Sequence, residues 1–528
     1  MKKEKVLKSI KNVFKKIGIL FINLFKIVKR LIKKFVKFVN EFSKKEFGKV
    51  KGIYIVRIVL VIIALFFINA FINEINSVKS VDYPIVYKTN DGKLMALKHN
   101  GDTKDAIKLS GEGSANYVMY ANTTDRYLLF VKNDGLYLYD SKSKEQTTKL
   151  VSNISDYYKF TNDDKYIVMK DDNSTLYVYD YKNDKQRLDV GIKNVEGLSN
   201  KNVIYVKEGS LYIKGLKASK EDKEKIVDGI FRSQLTEDGK KVYYIDSAKN
   251  LFEYNVSKKE KTQIDSLVTN MTINEEGKFY YLKKESNARS TLFHYNGKKS
   301  TKVAEGVYEI LDSSAKEQQV LYLKKNNKYE LYYQFKDKEA DLVDGKLDSN
   351  NITAYIFENK EIYYLNHKNE LYYAKINGSK IKRSIKVTDD ISSQLYKTKS
   401  GFVFMTKVND ESLGDLYITK GPKAKKIDSN VYSSLTQIKI SNSGKKIYYI
   451  KDYKNDNGTL FVSNNGGKGK QISTDVHSFE YANDKLIYYI KGYSLVNNRG
   501  DLYRYDGKSE KIATDVDAAI ATMPETYK

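Results

Sequence analysis

Residues 127–140 read YLLFVKNDGLYLYD. An apolar run, Tyr127-Leu128-Leu129-Phe130, leads through Asn133-Asp134-Gly135 into a second run, Leu136-Tyr137-Leu138-Tyr139-Asp140. Asn, Asp and Gly take the positive φ angles that tight hairpins demand, and Tyr, Leu and Phe suit a pleated, half-buried strand. The stretch therefore predicts two antiparallel strands joined by a turn.

The same hairpin recurs along the chain. Its leading strand returns at Ile85, Tyr127, Tyr166, Val203, Val242, Phe279, Val320, Ile362, Phe402, Ile447 and Ile487. The partner strand opens on Leu94, Leu136, Leu176, Leu211, Leu251, Leu292, Leu331, Leu371, Leu416, Leu460 and Leu502. Spacings of that leucine are 42, 40, 35, 40, 41, 39, 40, 45, 44 and 42 residues, the period of propeller blades. A turn such as TEDGKK (236–241) or SNSGKK (441–446) precedes many leading strands, and a lysine-rich turn with a short run such as KKID (425–428) or KIATD (511–515) follows the second strand.

Each copy thus supplies four strands. One small sheet cannot hide two apolar faces alone, but radial stacking buries both. The expectation is an all-β fold, a β-propeller of about eleven four-stranded repeats over residues 82–523, with 524–528 as a tail. Eleven exceeds the usual four to eight blades, so one large ring and two tandem propellers are both open. The first copy starts at its second strand, near Tyr83–Lys88, and the last ends with a surplus segment, Asp517–Met523, which could complete the first blade.

The motifs TEDGKKVYYIDS (236–247) and NDGLYLYD (133–140) resemble TolB-like and dipeptidyl-peptidase N-terminal propeller repeats. The resemblance covers roughly residues 82–523 and implies a propeller used for binding or for gating access. The serine hydrolase domain that accompanies some relatives has no counterpart here, so no catalytic residue carries over.

The N-terminus is different in kind. Net charge is +26, and residues 1–51 hold 17 Lys/Arg against Glu4, Glu41 and Glu46. Apolar residues from Val6 to Phe42 recur at helical spacing, opposite Lys8, Lys11, Lys15, Lys26, Lys29, Arg30, Lys33 and Lys37. Such a helix suits the anionic inner leaflet of a membrane, with bundle packing as the alternative. Nucleic acid is not an expected partner, because phosphate binding needs no continuous apolar face.

Residues 52–73 are predicted to span the membrane as one helix, through Ile58, Val59, Leu60, Val61, Ile62, Ile63, Leu65, Phe66, Phe67 and Ile68. Arg57 can snorkel to the headgroups. The cationic flank places the N-terminus in the cytoplasm, leaving a linker at 74–81 and the repeat domain outside the cell. An uncleaved anchor is expected, since Ile68 before Ala70 spoils the small-x-small cleavage pattern.

No cysteine occurs, which excludes disulfides, thiolate metal sites and a cysteine nucleophile. His99, His294, His367 and His477 stand far apart, so no metal site, cofactor or catalytic residue is expected. Abundant Lys, Asn, Ile and Tyr resemble the composition of AT-rich bacterial genomes of the clostridial kind. Arg499-Gly500-Asp501 is expected to serve a turn, as is the oxygen-rich Asp452–Gly458. The 45 tyrosines are read as packing residues with a hydroxyl at the edge rather than as carbohydrate platforms. The expectation is a non-enzymatic binding or scaffold module for an envelope protein or anionic cell-wall polymer. The alternatives are a transmembrane sensor and an envelope hydrolase or lyase.

Overall fold

A computed structural model describes residues 46–47, 50–51 and 85–517, apart from connecting segments at 98–105, 113–114, 121–125, 134, 141–146, 182–183, 218–222, 274–276, 287–288, 315, 383, 393–394, 435, 442 and 485. The chain divides into two compact units, Met1–Ser80 and Val81–Lys528. In the first, Glu46–Phe47 pairs antiparallel with Val50–Lys51. This short hairpin follows the stretch from Val6 to Phe42 on which the amphipathic helix is expected. The basic helix face from Lys8 to Lys37 and the span from Ile58 to Ile68 lie outside the described residues. Among the described residues no helix is long and apolar enough to cross a membrane.

The second unit is all-β. Its strands fall into eleven successive antiparallel groups, numbered here as blades: 85–112, 115–151, 154–189, 192–228, 230–265, 268–306, 307–347, 353–388, 396–428, 431–475 and 476–517. Within a blade the strands pair in chain order, first to fourth. Blade 1 has three described strands, Ile85–Lys88, Lys93–Leu97 and Ile107–Glu112, as its start at a second strand predicts. In blade 8 the fourth strand is broken into Lys380–Ile381 and Ile385–Thr388.

The second strand is the core. Val242-Tyr243-Tyr244-Ile245, Ile447-Tyr448-Tyr449-Ile450 and Ile487-Tyr488-Tyr489-Ile490 are buried without interruption, because neighbouring blades cover both faces. The third strand alternates buried and half-buried residues, and the fourth is largely exposed. First strands of adjacent blades approach closely enough for Arg232 to donate to Asn270 at 2.7 Å and for Lys439 to pair with Glu480 at 3.4 Å. The sheets therefore converge on their first strands and present their fourth strands at the rim.

Every apolar cluster joins two consecutive blades. Leu129, Val131 and Leu138 of blade 2 meet Phe160, Ile167 and Met169 of blade 3, and the series continues through Tyr448 and Ile450 of blade 10 with Phe479 and Ile487 of blade 11. Blade 6 meets blade 7 through Tyr280, Leu292, Val307 and Val320. The last blade then packs on the first: Tyr488, Ile490, Leu502 and Val516 share a cluster with Ile85, Tyr87 and Leu97. A junction in the middle and closure at the ends are the packing of one β-propeller-like ring, not of two in tandem.

A single buried residue carries six of the crossovers between blades. Ile192, Val268, Val307, Val431, Val476 and Val516 are at most 1 % exposed, and the residue before each takes a left-handed backbone: Gly191, Leu267, Gly306, Asn430, Asp475 and Asp515, with φ between 52° and 71°. That turn of the chain sends the next side chain into the interface. Val307, Val431 and Val476 pair with strands of both flanking blades, which makes the strand continuous across the junction.

A polar link accompanies the crossover in three places. Tyr205, Tyr281 and Tyr449 each donate to an aspartate of the preceding blade, Asp189, Asp265 and Asp428, at 2.8–2.9 Å. Lys207, Lys283 and Lys451 bond the same carboxylates at 2.6–3.2 Å. Burial alone would raise the Asp189 carboxyl, but the bonds from Val190 N–H, Tyr205, Lys223 and Lys207 hold it below the ordinary range. These tyrosines act as expected, packing with their rings and anchoring with their hydroxyls.

Arg499-Gly500-Asp501 opens a strand, Arg499–Tyr505, which corrects the turn reading. Gly500 and its counterpart Gly458 face a bulge in the preceding strand. A Cβ at Gly458 would lie 2.5 Å from Ile450 Cγ2 and 2.7 Å from the Lys451 carbonyl oxygen. Because backbone cannot rotate away, Gly458→Ala is expected to cost about 2–3 kcal/mol, read as a lower Tm. Asp452–Gly458 is a hairpin as predicted, with Asn455 and Asp456 at φ of 50° and 62°.

Candidate functional site

Two features stand on the edge of the ring formed by the first-to-second and third-to-fourth strand turns. The first is a belt of lysines. Polar residues must fill these outer turns because the fourth strand is an unpaired edge, and lysine there blunts strand-to-strand aggregation. Solubility alone would accept either sign of charge, yet the sign is strongly biased.

In blades 4–11 the described outer turns and adjoining fourth-strand starts carry 21 lysines against Glu224, Glu260, Asp337, Glu339, Asp341, Asp506 and Glu510. Among the described residues thirteen have no carboxylate partner: Lys217, Lys258, Lys261, Lys298, Lys299, Lys336, Lys338, Lys382, Lys423, Lys425, Lys468, Lys470 and Lys508, at least one in every blade from 4 to 11, all exposed. Lysines are partly neutralised on both edges: on the belt Lys259 pairs with Glu224 at 3.3 Å and Lys426 with Asp415 at 2.8 Å, and the opposite edge has its own pairs. Lys207, Lys283 and Lys451 sit on crossover aspartates, and Lys328 pairs with Asp348 at 2.9 Å. The belt is therefore positive through its composition.

The second feature is a cleft of about 890 Å³ where blades 2, 3 and 4 meet, lined by Arg126, Tyr127, Asp164, Lys165, Tyr166, Val178, Asp180, Tyr181, Gln186, Leu216 and Lys217. Its wall is a three-tier stack. The Arg126 guanidinium lies 4.7 Å above the Tyr127 ring, which stacks on Tyr181 at 4.1 Å. Arg126 is fixed by a two-pronged bond to Asp140, at 2.6 and 2.7 Å.

Asp164 occupies a left-handed position (φ 54°) in the turn Thr161–Lys165 and is 5 % exposed. The same turn position holds Gly239, Gly277 and Gly444 in other blades, and Gln318 and Lys360 in two more, all at positive φ. Thr161 closes the turn by donating to Asp163 at 2.9 Å and accepting from the Tyr166 N–H at 3.1 Å, as Thr236 does with Asp238 and Lys241. Lys165 is tied to Asp163 at 2.7 Å.

The Tyr181 hydroxyl is buried without a hydrogen-bond partner, and burial pushes its pKa up. An unpaired buried hydroxyl costs about 1–3 kcal/mol. Tyr181→Phe keeps the stack and removes that penalty, so its Tm should rise, with a gain of about 1 kcal/mol in a denaturant titration.

Among the described residues no group of three or more His, Asp or Glu side chains could hold a metal ion. His294 is buried on a blade face with its ring 4.9 Å from Tyr280, and His477 stacks on Tyr493 at 3.7 Å, so each histidine lies within a packed interface. Near the axis, Asp312 accepts from the Ile356 N–H at 2.7 Å, and burial raises its pKa. Lys397 lies 4.6 Å from the Tyr355 ring. These groups link blades 7, 8 and 9 to one another.

No protein-family model and no curated protein sequence matches the chain. Solved structures do resemble it. A eukaryotic initiation factor aligns with 85 % of this chain and 100 % of its own at 9 % identity and a TM-score of 0.44. The tricorn protease aligns over 82 % of this chain at 10 % identity and a TM-score of 0.28, and this chain spans 58 % of its length. The dihydro-heme d1 dehydrogenase NirN, in complex with DHE, aligns over 59 % of this chain and 74 % of its own at 10 % identity and a TM-score of 0.31. All three are propeller-type folds, and two are named as enzymes.

Proposed function

We propose that the chain is a membrane-tethered, extracytoplasmic propeller that binds an anionic polymer of the cell envelope along its lysine belt. The observation that carries this reading is the run of unpaired lysines around one edge of the ring. A flexible polyanion can touch many of them in turn, and weak contacts then multiply without any deep pocket. The tether rests on the sequence, where the 17 cationic residues of 1–51 and then Arg57 precede an uncharged run from Ile58 to Ile72.

The sensor reading needs the same outer domain and adds a cytoplasmic partner for residues 1–51. The belt does not require that partner, so a scaffold or adhesion role is the simpler account. The test has two arms: protease added to intact cells, and co-sedimentation of the purified full-length protein with isolated wall polymer. The reading predicts digestion of residues 82–523 with protection of 1–51, and saturable sedimentation. A domain protected in intact cells, or a protein that stays in the supernatant, would refute it.

A further inference from the structure

Where blade 5 meets blade 6, three side chains close on one carboxylate. Glu253 takes a salt bridge from Lys241 at 2.8 Å and hydrogen bonds from the hydroxyls of Tyr243 at 3.0 Å and of Tyr295, in blade 6, at 3.1 Å. Blades 10 and 11 repeat this arrangement at the same register positions. Lys241 pairs with Asn255 and Tyr243 with Glu253 across the second and third strands, as Lys446 pairs with Asn464 and Tyr448 with Val462. Tyr295 pairs with Phe279 as Tyr505 pairs with Ile487. The three donors are thus kept as Lys446, Tyr448 and Tyr505, but valine stands where the carboxylate would be.

The consequence is a notch of about 190 Å³ on the belt edge, lined by these three residues, Val462, Lys470 and Asp506 among others. A water takes roughly 30 Å³ of liquid, so the space holds one small ion with a few waters. Tyr448 is 0 % exposed, and its hydroxyl has no hydrogen-bond partner among the described residues. Burial, and then the neighbouring Tyr505 and Asp484, push its pKa up, so the hydroxyl keeps its proton and remains a donor. Asp484 itself accepts from Tyr481 at 2.6 Å. Lys470 stands at the register position of Thr262 in blade 5 and adds a second ammonium group. Two ammonium groups against the exposed Asp506 carboxylate leave the lining at +1.

We propose that the notch between blades 10 and 11 is a site for one oxyanion group from outside the protein, which takes the place that Glu253 fills in blade 5. The group can be a free ion or a unit carried by a polymer. Its recognition does not rest on the polymer reading, because it is measured without polymer and either can fail alone.

The experiment is isothermal titration of full-length protein in detergent with inorganic phosphate, against sodium chloride at equal ionic strength. The expected result is saturable millimolar or tighter binding. Tyr448→Phe should weaken it about tenfold, the loss of one hydrogen bond to a charged group, while Tm stays unchanged or rises because an unpaired buried hydroxyl has gone. Val462→Glu restores the carboxylate of blade 5 and should abolish phosphate binding; Asp506→Asn should strengthen it. Co-sedimentation of Val462→Glu with wall polymer separates the two sources: weakened sedimentation assigns the group to the polymer, and unchanged sedimentation assigns a free ion. The proposal is overturned if phosphate does not bind up to about 10 mM, or if Tyr448→Phe and Val462→Glu both leave its affinity intact.

Discussion

Replacing Val516 by aspartate is expected to destabilise the ring by about 3–5 kcal/mol, because it puts a carboxylate where no water or partner can reach it. Val516 is 0 % exposed and lies in the cluster with Ile85, Tyr87, Tyr488 and Leu502 that closes blade 11 on blade 1. It is the last member of the crossover series that includes Val307, Val431 and Val476, so its role is to join blades. Loss of that joint should lower Tm and bring the earliest cuts of limited proteolysis into blades 1 and 11. Val496→Asp is the control, since Val496 is 98 % exposed. Two propellers in tandem, with no contact between first and last blades, would tolerate both changes alike.

Reversing Lys258, Lys261, Lys298, Lys299, Lys423 and Lys425 to glutamate should weaken polymer binding at least a hundredfold, while Tm stays within a degree or two of the parent. A lysine beside an anionic surface contributes on the order of 1 kcal/mol, and partial screening and non-additivity reduce the sum of six. Stability should hold because all six side chains are exposed and none has a carboxylate partner. Reversing six cations on the opposite edge changes net charge by the same amount. That variant should retain most of its affinity, which distinguishes a placed belt from net charge.

The blade was legible because its signal is local. All eleven leucines that open the third strand are buried, ten of them completely, so a single position repeated at a period near 40 residues marked the core. The expected latch, Asp517–Met523 completing the first blade, lies beyond Asp517 outside the described residues, and the closure that is seen comes from Val516, Tyr488 and Leu502 packing on Ile85 and Tyr87. Ring number was not legible, because it depends on packing between blades at opposite ends of the chain. The crossover valines were hidden for a different reason. Their signal is the left-handed residue before them, and Leu267, Asp475 and Asp515 do not announce that conformation as glycine does.

The candidate surfaces divide in the same way. Lysine-rich turns were visible, but which lysines carry a partner is a matter of neighbouring strands: Lys451 meets Asp428 across a blade boundary, while Lys425 meets no carboxylate. The cleft left no motif at all. Arg126, Asp164, Tyr181 and Lys217 come from three consecutive blades, each from a turn that reads as ordinary by itself.

We propose that an ordered belt of free lysines recognises a polyanion. The slope of log affinity against log salt concentration for wall polymer and full-length protein tests it most directly. The account predicts saturable binding that falls steeply with salt, with a slope reduced in proportion to the lysines reversed on the belt. A flat dependence, or a slope that the six belt reversals leave unchanged, would contradict it.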